Sequence, residues 1–267
     1  MKKFACTLMF WIWAMTGFAG LASQSAVAGE TLKYSCSAQI FEAFEMDRID
    51  TFTADTGIGV TLFKSSSKSA VNRLMNGYSD IASTTRRLHY ISKESGYAEI
   101  PFCKDNLAII TGRQVPVENI SSDRLREIFS KKLTNWQEIG GPDKPIKVVV
   151  PGKNTAAYQN FKDGVMHREK IRYDFISTQS SDVIDAVRRF SGAISFITYG
   201  GVAHNKEIRT VGIDGISPQA EAYPYPQTFY FVVKGQPTGS VKAFVDFAFS
   251  EKGRKIIREK GMIPIDR

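Results

Sequence analysis

Apolar positions recur along the chain in two alternating patterns. Short β-branched or aromatic runs stand at 32–35, 60–63, 80–82, 100–110, 146–150, 173–177, 193–197, 208–211 and 229–233. Between them, apolar residues fall at helical spacing: Phe41, Phe44 and Phe52; Val71, Leu74 and Met75; Leu125, Ile128 and Phe129; Tyr158, Phe161 and Val165; Val183, Ile184 and Val187; Val241, Phe244, Val245 and Ala248. The first pattern predicts strands and the second amphipathic helices. Their alternation predicts an α/β fold with a mostly parallel sheet. Ile146-Lys147-Val148-Val149-Val150 predicts a strand buried on both faces. Ser121 or Ser122 is placed to cap the helix of Leu125, and Gly140-Gly141-Pro142 enforces a turn. Gly77 ends the helix of Met75, and a last helix over 250–260 ends at Gly261.

The first 28 residues follow another pattern. Lys2 and Lys3 precede an uncharged apolar stretch from 4 to 22, and Ala26-Val27-Ala28 is a small-x-small site before Gly29. These are the parts of a cleaved secretory signal peptide, so an exported, periplasmic protein is expected. Loss of the two lysines lowers the formal charge of +8 by two. A mildly basic chain suits an anionic partner, but no basic cluster interleaved with aromatics marks nucleic-acid binding. Two cysteines remain after cleavage, Cys36 and Cys103. In an oxidising compartment such a pair is either bridged or forms two buried free thiols, and spacing does not choose between them.

Candidate chemistry sits where predicted strands end. Ser37-Ala38-Gln39 follows the first strand, Ser65-Ser66-Ser67-Lys68-Ser69 the second, and Ser83-Thr84-Thr85-Arg86-Arg87 the third. Pro151-Gly152-Lys153-Asn154-Thr155 follows the buried valine strand and leads directly into a helix. Ligands of open α/β sheets collect at carboxyl ends of strands. A helix N-terminus offers unpaired N–H groups and the positive end of the dipole to an anion. No nucleophile elbow, P-loop or Gly-x-Gly-x-x-Gly is present, and His89, His167 and His204 lack metal-ligand spacing. The chain therefore reads as a binding protein and not an enzyme, with no catalytic residue, metal or cofactor.

Several motifs carry a family resemblance. Ile128-Phe129-Ser130-Lys131-Lys132-Leu133-Thr134-Asn135-Trp136-Gln137-Glu138-Ile139-Gly140-Gly141 resembles the IFSGKITNWKEVGG stretch of the phosphate-binding proteins that serve ABC importers. Gly77-Tyr78-Ser79-Asp80-Ile81-Ala82 is similar to that family's Gly-x-x-Asp-Ile-Gly, and Gly192-Ala193-Ile194-Ser195-Phe196-Ile197 to its Gly-Ala-Ile-Gly-Tyr-Val. Phe244-Val245-Asp246-Phe247 and Gly261-Met262-Ile263-Pro264 resemble its closing motifs. The resemblance implies a two-lobed periplasmic-binding-protein fold, each lobe a mixed, mostly parallel sheet flanked by helices, with two chain crossings. Residues 29–110 with 224–267 are then one lobe and 111–223 the other, and Tyr223-Pro224-Tyr225-Pro226 is the stiff return.

The resemblance also implies a ligand set, which this chain alters. Ser37, Ala38 and Gln39 stand where the family reads Ser-Thr-Thr, and Ser67 keeps the serine of a Gly-Ser-x-x-Gly loop that has lost both glycines. Thr85 and Arg86 match its Ser-Arg. In its Ser-Gly-Thr, Lys153 takes the serine position, Asn154 follows and Thr155 is kept, and the arginine of that loop is gone. Lysine offers a mobile point charge where arginine offers a planar fork. The implied function is capture of a small oxyanion, phosphate first, by a monomer that delivers it to an ABC permease. The alternative is a drifted sensor or adaptor working through protein partners or a different anionic ligand.

Overall fold

The computed structural model describes residues 30–88, 94–177 and 180–267, so the leader expected at 1–28 and His89 lie outside the described residues. The strands are β1 (Thr31–Ser37), β2 (Gly59–Ser65), β3 (Ile81–Thr84), β4 (Tyr97–Gly112), β5 (Asn119–Ile120), β6 (Lys147–Pro151), β7 (Phe175–Ser177), β8 (Ala193–Thr198), β9 (Ile208–Ile213), β10 (Pro226–Lys234) and β11 (Ile263–Pro264). The helices are α1 (Ala38–Ile40) and α2 (Met46–Thr56), joined without a break by the π-helical turn Phe41–Glu45, then α3 (Ser67–Met75), α4 (Ser122–Phe129), α5 (Ala156–Gly164), α6 (Ser180–Arg189), α7 (Gly239–Phe249) and α8 (Glu251–Glu259).

The strands hydrogen-bond in the order β2-β1-β3-β10-β4-β8-β6-β7. Pairing is parallel at both ends of this path, among β2, β1 and β3 and among β8, β6 and β7. It is antiparallel in the middle, where β4 meets β10 and β8. The sixteen-residue β4 is the spine. Its residues up to Asn106 pair with β10, and from Leu107 onward it pairs with β8 and β9. One apolar core gathers Leu32, Tyr34, Phe52, Phe102, Phe231 and Phe244 around the first part of β4. A second gathers Leu107, Trp136, Val148, Phe161, Phe196 and Tyr223 around the rest. The chain passes between the cores at Asn106 and Leu107 and returns at Tyr225 and Pro226. These two passages touch, with Leu107 N donating to Tyr225 O at 2.9 Å.

Alternation along the strands explains why both faces are covered. Val148 and Val150 of β6 enter the second core, while Val149 packs on the opposite face with Val183 and Val187 of α6. In the same way Phe229, Phe231 and Val233 of β10 point into the first core, and Val232 meets Leu74 of α3. Side chains of a strand point alternately to opposite faces, so a run of apolar residues fills both.

The possible disulfide between Cys36 and Cys103 is not formed: both are free and buried. Cys36 lies on β1 and Cys103 on β4, with β3 and β10 between them. Three strand spacings put the two roughly 14 Å apart. A bridge needs Cα atoms within about 7 Å. Cys36 Sγ instead donates to Ser37 O at 3.3 Å, and burial pushes its thiol pKa up.

Candidate functional site

Five strands, parallel within each core, deliver their carboxyl ends to one place. β1 ends at Ser37, β2 before Ser66, β6 before Gly152, and β7 at Ser177, and all four line one cleft of about 440 Å³ between the two cores. β3 ends at Thr84, directly behind it, in front of Thr85 and Arg86. Of the residues singled out in the sequence, Ser37, Ala38, Gln39, Ser67, Lys153, Asn154 and Thr155 line this cleft.

Three helical N-termini open onto it. The helical run from Ala38 follows Ser37, α3 follows its cap Ser66, and α5 follows its cap Thr155. Ser66 Oγ accepts from Ser69 N, and Thr155 Oγ1 accepts from Tyr158 N. Ser37 makes no such side-chain cap bond. Its hydroxyl belongs to a relay instead. Thr85 N donates to Ser67 Oγ at 3.3 Å, and Ser67 Oγ donates to Ser37 Oγ at 3.1 Å. Ser37 is 1 % exposed, and its own proton has no acceptor among the described residues. A buried hydroxyl that accepts one bond still has a proton to give. Ser37 lines the cleft, onto which the N–H groups of the first helical turns that the caps leave over also open.

The charges are arranged unequally. Lys153 is exposed at the rim, its ammonium 5.5 Å from the Tyr173 ring centroid. The Tyr173 phenol, through its hydrogen bond and charge, holds the Lys153 pKa above the ordinary lysine value. Lys153 is therefore a firm cation. Arg86 does not line this cleft. It lies in an adjoining cavity with Ser66, Asn154 and Gln159, and its guanidinium reaches Asp163 and Asn160 of α5. The carboxylate neutralises it.

Thr85 is buried behind the cleft, where its Oγ1 donates to Gln39 Oε1 at 3.0 Å. Gln39 Nε2 donates to Gln227 Oε1 at 3.0 Å, and Asn160 Nδ2 donates to the same oxygen at 2.7 Å and to Thr85 O at 3.1 Å. Asn160 thus ties α5 of the second core to the first. Ala156, Asn160 and Asp163 stand at i, i+4 and i+7, one face of the helix. Ser66, Gly152, Ala156, Ala157, Ile176 and Ser177 also line the cleft without having been singled out. Ser177 ends a strand as Ser37 does, which is the signal that would have found it.

Among the described residues no group of three or more His, Cys, Asp or Glu side chains converges as metal ligands do. His167 and His204 are exposed, and His204 Nε2 lies 2.8 Å from Glu259 O. Among the described residues no helix is long and apolar enough to cross a membrane.

Comparison with known proteins bears on this cleft. A family profile described as the PBP superfamily domain matches residues 22–252. The phosphate-binding protein PstS of Borreliella burgdorferi is 27 % identical over 222 residues, 77 % of this chain and 80 % of that one. The protein SphX of Synechococcus elongatus is 23 % identical over 256 residues, 86 % of this chain and 76 % of its own. Among solved structures, a Clostridium perfringens protein with bound phosphate, assigned as a phosphate ABC transporter substrate-binding protein, superposes with a TM-score of 0.80 at 25 % identity. The match covers 89 % of this chain and 100 % of that one.

Proposed function

Because the chain belongs to the PBP superfamily, we propose that it captures a small oxyanion, inorganic phosphate first, and hands it to an ABC permease. In this reading it is an exported, periplasmic, monomeric binding protein and not an enzyme. The two cores are its lobes, 29–110 with 224–267 and 111–223, and the ligand sits between them. The observation that carries the reading is the buried Ser37 hydroxyl, held by the Thr85–Ser67 relay at a cleft where three helical N-termini open. Relatives matched along most of their length are phosphate-binding proteins, which supports phosphate as the first ligand.

The chemistry required is modest. An oxyanion leaving water loses its hydration shell, and each lost bond must be replaced by a fixed donor. Ser37 supplies a hydroxyl, the first turns of α3 and α5 supply N–H groups, and Lys153 supplies a full charge, while the protons of Ser67 and Thr155 go to Ser37 Oγ and Gly152 O. Bonds from such donors to an ionised acceptor are about twice as strong as neutral ones. Lys153 at the rim gives up its hydration least, and it suits the role of drawing the anion in.

The test is calorimetric titration of the processed protein, freed of bound phosphate by unfolding and refolding. Phosphate should bind with one site per chain, and Lys153→Ala should weaken it and flatten its salt dependence. No heat with phosphate, sulfate or arsenate would overturn capture and leave the adaptor reading.

A further inference from the structure

The cleft has a feature that bare phosphate does not use. Ile176 of β7 is 46 % exposed, one of the few large apolar side chains of the described residues left open to solvent. It lines the cleft together with Ala156 and Ala157 of the first turn of α5. The register of β6 and β7 pairs Val150 with Ile176 and Pro151 with Ser177, so Ile176 stands beside the strand end that leads to Lys153. The second core thus offers an apolar wall next to the anion donors.

Size points the same way. Asn160 Nδ2 already bonds Thr85 O, and Arg86 already meets Asp163, so the two cores are in direct contact beside the cleft. Even so, the cleft keeps about 440 Å³. That falls in the range of roughly 300–1,000 Å³ that holds small organic ligands. A tetrahedral oxyanion of five heavy atoms is only two or three waters in bulk, at about 30 Å³ each. It would leave most of this space to solvent, against a wall that gains nothing from being wet.

The geometry points to an organic ligand: a dianionic phosphoryl or phosphonyl group bearing a small alkyl substituent. Its charged end takes the donors around Ser37, and its alkyl end covers Ile176, Ala156 and Ala157. The inference rests on the capture reading above and narrows the class of ligand at the same site.

The experiment compares orthophosphate, n-propylphosphonate and n-propyl phosphate by calorimetry at alkaline pH, where each is a dianion. The processed protein is used, followed by Ile176→Ser. Burying part of a three-carbon chain should make at least one propyl ligand bind about tenfold tighter than phosphate. The propyl-to-phosphate ratio should fall toward one in Ile176→Ser. The preferred member of the propyl pair then tells a carbon-linked from an ester-linked ligand. Orthophosphate binding as tightly as both propyl ligands overturns the inference while leaving phosphate capture standing. A propyl preference that survives Ile176→Ser overturns the assignment of the wall. Failure of all three anions to bind overturns both readings together.

Discussion

Arg86 and Asp163 meet between the two cores, beside the cleft: Nη2 lies 3.1 Å from Oδ2, while Nη1 donates to Asn160 Oδ1 at 3.2 Å. Arg86 follows β3 in the first core, and Asp163 lies in the last turn of α5 in the second. Their bond therefore exists only while the two cores are close. Each side chain retains 39 % of its surface, so the pair is screened like a surface ion pair.

A latch of this kind acts on affinity through closure. It favours the closed state by roughly 0.2–1 kcal/mol, and its loss lowers apparent affinity by the same factor. Arg86→Ala and Asp163→Ala should each weaken phosphate binding by about two- to fivefold. The double variant should do no worse than either single one. A loss of about a hundredfold in Arg86→Ala alone would instead put the guanidinium on the ligand. A double-mutant cycle by titration calorimetry separates the two.

The Ser37 relay yields a graded prediction. Ser37→Ala removes the proton directed into the cleft, a bond to an anion worth about 1.5–3 kcal/mol, so affinity should fall about tenfold or more. Ser67→Ala removes only the donor behind it, leaving Ser37 its hydroxyl but not its orientation. Its effect on affinity should be smaller. Equal losses in the two variants would mean that Ser37 does not meet the ligand directly.

What could be read in advance follows from how local the physics is. The valine strand at β6 and the stripe of Leu125, Ile128 and Phe129 are local periodicities, and both end up fully buried. Ser37, Ser67, Lys153 and Thr155 were legible because each stands at or just after the end of a strand, and ligands of α/β sheets collect at the carboxyl ends of strands. Asn160, Asp163 and Gln227 were not. Their roles depend on which helix faces which core, which no window of sequence contains. Cys36 and Cys103 show the same limit, since only the strand order separates them. Arg48 was hidden more deeply. A Glu three residues before an Arg reads as a solvated helical pair, yet Glu45 and Arg48 are both fully buried.

Asp105 gives a pH prediction. It sits on β4 just before the passage to the second core, where its carboxylate accepts from Asn106 N at 2.7 Å and from Gly200 N at 3.1 Å. Cys103 and Tyr199 face it. Burial outweighs the two N–H bonds and pushes its pKa up to about 7. A carboxyl raised in the folded state binds a proton that the unfolded chain, near its usual value of about 3.9, has released. Its contribution to stability is therefore fully present below about pH 4 and is lost as pH rises to about 7, up to roughly 4 kcal/mol in all. Asp105→Asn should flatten stability across this window and raise it at neutral pH. Urea unfolding at several pH values checks this, and an unchanged slope in Asp105→Asn would exclude the assignment.

The last prediction concerns the Glu45–Arg48 pair. Arg48 Nη2 lies 2.6 Å from Glu45 Oε2, and its Nε lies 3.0 Å from Oε1. The guanidinium carbon also stands 4.7–5.1 Å from the ring centroids of Phe44, Phe102, Phe231 and Phe244. Nη1 has no hydrogen-bond partner among the described residues, so rings face a donor that would otherwise be hydrated. Desolvation raises the Glu45 pKa even with Arg48 beside it. Without Arg48 the carboxylate would be stranded, and Arg48→Met should cost about 3–5 kcal/mol in urea unfolding at neutral pH. The loss should shrink on acidification, because a protonated Glu45 needs no counter-charge. Glu45→Gln combined with Arg48→Met removes both charges and should recover much of the difference, since exchanging a buried pair for neutral groups is often nearly neutral. If the double variant were as unstable as Arg48→Met and neither responded to pH, the loss would lie in the packing of the arginine among its four rings and not in a stranded charge.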